Sequence, residues 1–167
     1  MEEKITRLIE QMSLEEKVSL CFGGSDWSTQ PIVRLGIPEI FMPDGPHGVR
    51  WIDPEKMEGF SEEFGMIVWT EMDPEKGFID MLFGATCFPT SATTASSWDR
   101  ELLTEIGQAL GRESQHFRIG VLLGPGTNIK RHPLIGRNFK YFSEDPCLAG
   151  DLAASYITGA QSEGVGT

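Results

Sequence analysis

Apolar positions near the start of the chain recur at helical spacing. Ile5, Leu8, Ile9 and Met12 share one face, which predicts a first short helix. Ser13-Leu14-Glu15-Glu16 then has the form of a capping box, with Ser13 as N-cap and Glu16 three residues on. The second helical piece that it opens carries Leu14, Val18 and Cys21 on one face, and Gly23-Gly24 closes it. The pattern changes at Glu39-Ile40-Phe41-Met42, a strand candidate that runs straight into the turn residues Pro43 to Arg50. A long helix is predicted from Asp99, a good N-cap, with Leu102, Leu103, Ile106, Ala109, Leu110 and Phe117 as its buried stripe. Val121-Leu122-Leu123 reads as a buried strand. Asp145-Pro146 starts a last helix presenting Leu148, Ala149, Leu152, Ala153, Tyr156, Ile157 and Ala160.

Strands alternating with helices imply βα units and a mainly parallel sheet, an α/β fold. The sequence supplies three or four strands, whereas a closed barrel needs eight. Open sheet edges favour self-association, so a homo-oligomer formed through those edges is expected. The chain stops at Gly164-Val165-Gly166-Thr167, just after a helix and before the next strand, and is expected to be the first part of a larger domain.

Composition narrows the function. With 167 residues, 40% of them hydrophobic, the chain can build an ordinary globular core. A net charge of −11 argues against nucleic acid and against anionic membranes as partners. The acidity is concentrated: the residues between Asp53 and Asp80 carry −7 of that charge, so the stretch at about 53–84 reads as a solvated surface insertion. Cys21, Cys87 and Cys147 show no metal-ligand spacing, which fits free thiols in a reducing compartment. The N-terminus has no signal-type apolar region, and no run of about eighteen apolar residues exists to span a membrane. A cytoplasmic location is expected.

Candidate chemistry lies in two loops after strands. Asp44, between Pro43 and Gly45, is held on a tight turn, either for function or only as a turn former that bonds its own backbone. His47 and Arg50 follow as partners of that carboxylate or as plain surface groups. The second loop runs from Gly124 to Asp145, about twenty residues, and a loop of that length in a compact domain is uncommon unless it has a function. It carries Lys130, Arg131, His132 and Arg137. Arg137, in Gly136-Arg137-Asn138-Phe139, suits sugar hydroxyls or carboxylates because its fork donates in fixed geometry; the structural alternative is a pair with Glu144 or Asp145. For Lys130, Arg131 and His132 the plain alternative is an ion pair that holds the loop. Gly124-Pro125-Gly126 lacks the Gly-Lys-Ser/Thr of a phosphate loop, and no cofactor or metal motif appears. The four tryptophans, Trp27, Trp51, Trp69 and Trp98, are mostly core candidates, although one near Asp44 is placed to stack on a sugar face.

Pro43-Asp44-Gly45-Pro46-His47-Gly48-Val49-Arg50, Ala85-Thr86-Cys87-Phe88-Pro89-Thr90, Ala95-Ser96-Ser97-Trp98-Asp99 and the loop at 124–146 together resemble the N-terminal part of glycoside hydrolase family 3, the β-glucosidase type. The resemblance covers nearly the whole chain apart from the acidic insertion. It implies the first part of a (β/α)8 barrel, and an enzyme that cleaves β-glycosides from the non-reducing end with retention, through an aspartate nucleophile and a glutamate acid/base. It further implies that Asp44 and Arg137 bind hydroxyls in the −1 subsite, that Arg50 is a lesser neighbour, and that Lys130 and Arg131 support the loop. No carboxylate here matches either catalytic role by motif, so no residue of the chain is assigned as catalytic. The chain departs from the family pattern at three places. Lys140 stands where glutamate is expected, His132 where a small residue is usual, and Cys147 where an aromatic one is common. The expected ligand is a β-glucoside or oligosaccharide. The rival readings are a non-catalytic carbohydrate- or partner-binding half barrel, and a phosphate-ligand binder using Lys130, Arg131 and Arg137.

Overall fold

The computed structural model describes residues 2–25, 27–51 and 84–167. Apart from Gly84, the acidic insertion expected at 53–84 lies outside the described residues.

Two helices open the chain, α1 (Glu2–Gln11) and α2 (Leu14–Ser19). The capping box forms: the Glu16 N–H donates to Ser13 Oγ at 3.2 Å, and the Ser13 N–H donates to Glu16 Oε2 at 2.8 Å. Glu16 also takes the Arg34 guanidinium, which tethers α2 to the segment that follows. Neither helix buries a residue. The expected closure at Gly23-Gly24 is instead a small antiparallel ribbon, β1 (Gly23–Ser25) with β2 (Ser28–Thr29).

The expected strands at Glu39–Met42 and Val121–Leu123 do not form continuous ladders. They run side by side joined by a single parallel bridge, Asp44 with Leu123, and on its other side Val121 bridges in parallel to Gly166. Val121 N–H donates to Phe41 O at 3.2 Å, Leu123 N–H to Pro43 O at 3.0 Å, and Gly45 N–H to Leu123 O at 3.2 Å. On the other side Leu122 N–H donates to Gly166 O at 2.8 Å, and Gly166 N–H to Gly120 O at 2.9 Å. Pro43 has no N–H to give, which interrupts the pairing in the middle of the first segment. The result is three parallel segments in sequence order, each leading through helix to the next.

The connecting helices are α3 (Ser91–Ala95), α4 (Arg100–His116) and α5 (Pro146–Ser162). Both predicted N-caps hold. Asp99 Oδ1 accepts the Glu101 and Leu102 N–H groups at 2.9 and 3.0 Å, and Asp145 Oδ1 accepts those of Cys147 and Leu148 at 2.7 and 3.1 Å. The short α3 lies in the small-residue stretch before Trp98, where no helix was predicted.

The core lies between α4, α5 and the parallel segments, with Leu103, Leu110, Leu122, Leu152, Tyr156 and Val165 at its centre. The buried face of α4 is Leu103, Gly107, Leu110, Gly111 and Ser114, rotated from the predicted stripe so that Leu102 is left 37% exposed. Two glycines explain the rotation. A Cβ on Gly107 would lie 2.2 Å from the Tyr156 carbonyl oxygen, and one on Gly159 would lie 2.2 Å from that of Thr104. The helices touch backbone to backbone, so the seam is set by the absence of side chains, which a hydrophobic periodicity does not register. Trp98, expected in the core, is 74% exposed at a left-handed φ of 57° between α3 and α4. Trp69 lies outside the described residues.

Alanine in place of an exposed helical glycine gains about 1 kcal/mol of helix propensity. Gly150→Ala on α5, where a Cβ meets nothing within 4 Å, is therefore expected to raise the urea midpoint. Gly107→Ala and Gly159→Ala are expected to lower it by the equivalent of about 1–3 kcal/mol, because the clash outweighs the propensity gain. Parallel denaturant titrations of the three variants make the check.

Candidate functional site

The turn from Pro43 to Arg50 is fixed at several points. Arg50 N–H donates to Asp44 O at 2.9 Å, and the Arg50 guanidinium donates to Asp44 Oδ2 at 2.5 Å, so the carboxylate is aimed by both backbone and side chain. Gly48 adopts a φ of 139°, and a Cβ there would lie 2.2 Å from the Thr86 carbonyl oxygen; only glycine lets the turn and the 84–90 segment approach this closely. Phe88 N–H donates to His47 O at 2.7 Å across that contact. Below the turn, buried Tyr156 of α5 extends its hydroxyl to Gly45 O at 3.5 Å, and burial pushes its pKa up, so it stays a neutral donor.

His47 joins this turn to α3. Its Nε2 accepts the Ser91 N–H at 3.1 Å and lies 3.2 Å from Ser91 Oγ, an arrangement that needs an unprotonated Nε2. Its ring faces Phe139 with centroids 6.0 Å apart. Burial pushes the His47 pKa down, the nearby Lys140 ammonium adds to this, and Asp44 opposes it. Asp44, His47 and Lys140 therefore share one neighbourhood.

The second loop reaches the same place through a 3-10 turn, Asn138–Lys140, that packs on α3. The loop is ordered by its own backbone. Lys130 N–H donates to Ser143 O at 3.3 Å across its neck, and Asn138 Nδ2 donates to His132 O and Pro133 O at 2.9 and 3.1 Å. Gly126 passes so close to Lys140 that a Cβ would lie 2.7 Å from its carbonyl oxygen. Arg137 sits immediately before the 3-10 turn and is exposed. Neither structural alternative is present among the described residues. Arg137 makes no ion pair with Glu144 or Asp145, and Lys130, Arg131 and His132 make none with any described residue.

The structure thus brings Asp44, Arg50, His47, Phe139 and Lys140 together and mounts Arg137 on the same turn. Lys130 and Arg131 are not joined to Asp44 or Arg50 by any hydrogen bond or ion pair. Lys130 instead lines a depression of about 330 Å³ with Trp98, Phe142 and Glu144. The residues that sequence reasoning missed are Ser91 and Tyr156. Each lies far along the chain from the turn it supports, and no local motif marks either. Trp51, next to Arg50, packs edge-on against Trp27 and Phe41, with centroids 5.1 and 5.4 Å away. A wider depression, about 660 Å³, lies between the first turns of α4 and α5. Of its four carboxylates, Asp99 and Asp145 cap helices and Asp151 pairs with Arg100, which leaves Glu101. Among the described residues no group of three His, Cys, Asp or Glu side chains could hold a metal ion.

A carboxylate and a guanidinium at the ends of adjacent parallel segments form an arrangement suited to a polyhydroxylated ligand. The sequence profile of the glycosyl hydrolase family 3 N-terminal domain matches residues 56–167. The chain belongs to glycosyl hydrolase family 3. It is 51% identical over 162 residues to thermostable β-glucosidase B of Acetivibrio thermocellus, covering 97% of this chain and 19% of that protein. It is 41% identical over 167 residues to exo-α-(1→6)-L-arabinopyranosidase of Bifidobacterium longum, covering all of this chain and 20% of the relative. Among solved structures, β-glucosidase 3B of Thermotoga neapolitana in complex with glucose superposes with a TM-score of 0.77 at 37% identity, covering 97% of this chain and 22% of that one. The chain therefore spans about a fifth of the length of the relatives it matches. The three parallel segments and their helices are the first part of a (β/α)8 barrel, and both loops of the candidate site lie at the carboxyl ends of their strands, where such barrels place their chemistry.

The His47 ring is expected to titrate below its ordinary value of 6.5 in an NMR pH series, and Lys140→Gln is expected to move the midpoint upward. In linkage terms, the unfolded chain takes up the His47 proton first as pH falls. This contribution to stability is therefore complete above 6.5 and declines as pH drops through 6.5 toward the lower folded value.

Proposed function

We propose that the chain is the sugar-binding first part of a retaining β-glucosidase-type hydrolase, acting on β-linked glucosides or oligosaccharides. Asp44 accepts from hydroxyls in the −1 subsite and Arg137 donates to them. Arg50 orients Asp44, and Lys130 and Arg131 shape the loop that carries Arg137. The observation that carries this reading is the Asp44–Arg50 pair held at a strand end, with Arg137, unpaired among the described residues, leading into the turn whose Phe139 ring meets His47, in a chain of this family. The relatives' names include both glucosidases and an arabinopyranosidase, which supports a glycoside without fixing the sugar.

Hydrolysis with retention needs a nucleophile and an acid/base held together. Asp44 is occupied by Arg50, and Asp99 and Asp145 cap helices, so these carboxylates are not free for either role. The 167-residue chain by itself is expected to release no nitrophenol from an aryl β-glucoside, and measurable turnover would refute that part of the proposal. Binding is expected without turnover. Titration with methyl β-glucoside, read by calorimetry, should weaken at least about tenfold in Asp44→Ala and in Arg137→Ala, as loss of a hydrogen bond to a charged group predicts.

A second reading, a partner-binding half barrel, draws support from the apolar face of the first two helices, where Ile5, Ile9 and Val18 are 51, 48 and 46% exposed. A sedimentation experiment distinguishes it, since self-association through that face gives a concentration-dependent mass.

A further inference from the structure

Between Asn128 and Ser143 the loop carries Lys130, Arg131, Arg137 and Lys140 and no acidic residue, in a chain whose net charge is −11. None of these four cations has an ion-pair partner among the described residues. Among the described residues the one carboxylate at the site, Asp44, is neutralised by Arg50. His47 is held neutral by its role as acceptor for the Ser91 N–H. Among the described residues, Lys140 and Arg137 are therefore left as uncompensated positive charge beside the proposed sugar position. Lys140 is half-buried and is carried on the turn whose Phe139 ring faces His47. Its backbone N–H donates to Arg137 O at 2.8 Å, so the two cationic side chains leave one turn of backbone. Burial lowers the His47 pKa first and the nearby Lys140 ammonium lowers it further, in keeping with the closeness of the two side chains.

A neutral glucoside offers hydroxyl groups and leaves this excess unanswered. Resting on the sugar-site reading above, we propose that Lys140 makes the site selective for a glycoside bearing an anionic substituent, a carboxylate or a phosphate ester, over its neutral counterpart. Glutamate, the residue that the family resemblance leads one to expect at this position, would cancel the excess and favour a neutral sugar. Lysine reverses that preference. The interaction is a charge–charge one at a partly exposed site, so it weakens with salt, whereas hydroxyl recognition by Asp44 changes little.

The test is an NMR or calorimetric titration of the 167-residue chain at low and high salt with four probes: methyl β-glucoside, methyl β-glucuronide, glucose 6-phosphate and inorganic phosphate. The expected result is that one or both anionic sugars bind at least about tenfold more tightly than methyl β-glucoside at low salt, with the gap narrowing at high salt. Lys140→Gln should reduce the preference, with Arg137 still present, and Lys140→Glu should remove it, each with an unchanged far-UV spectrum. The glucuronide and phosphate arms separate a carboxylate ligand from a phosphorylated one. Equal binding of neutral and anionic sugars, unaltered in both variants, overturns the proposal and leaves the sugar site standing. Binding of inorganic phosphate without any sugar, or of none of the probes, overturns the sugar-site reading and this proposal with it.

Discussion

Two backbone hydrogen bonds place the whole site: Leu123 N–H to Pro43 O and Gly45 N–H to Leu123 O. They bring the carboxyl ends of two segments about eighty residues apart in sequence into register, and each segment then leads into its functional loop. Asp44 follows directly from the first segment, and the Gly124–Gly126 stretch from the second. If that register slipped by one residue, the side chains of the moved segment would turn to the opposite face. The pairing is short because Pro43 cannot donate, so it needs support from behind. That support comes from Leu122 in the core and from Tyr156 reaching Gly45 O.

The helix seam supplies the rigidity that the short ladder lacks. Gly107 and Gly159 let α4 and α5 meet at backbone distance, and the Arg112–Glu163 pair at 3.0 Å closes one end of the seam. Tyr156 lies on this seam and also beneath the Asp44 turn, so one residue couples helix packing to the position of the site. Likewise Glu113 of α4 accepts both hydrogen bonds offered by Thr86, holding the 84–90 segment against which Gly48 turns. Most of the residues named above hold the Asp44 turn in place, and few are left for the sugar contacts proposed for it.

Charge distributes along the same lines. Among the described acidic residues, Asp99 and Asp145 cap helices, and Glu16, Asp44, Asp151 and Glu163 are held in ion pairs. The cations of the 128–143 loop are not. Among the described residues this acidic chain thus presents a basic loop without ion-pair partners, and that loop lies where the family's sugar site is expected.

Local chemistry was enough to mark the helix starts at Ser13, Asp99 and Asp145, the turn at Asp44-Gly45 and the cations of the second loop. Each depends on a residue acting on neighbours within about four positions, which is the range over which sequence pattern carries structural information. The α4 stripe was displaced in the prediction because glycine contributes to packing by what it lacks. The strands at 39–42 and 121–123 reduced to bridges because pairing depends on donors in a distant segment, and Pro43 withholds one. The His47–Ser91 link, the Tyr156 support and the meeting of Lys140 with Asp44 join residues that are tens of positions apart. Nothing near any of them in sequence encodes the other. The sequence by itself determined which groups the two loops carry; only the tertiary structure decided that they face each other, because parallel pairing brings distant strand ends to one edge.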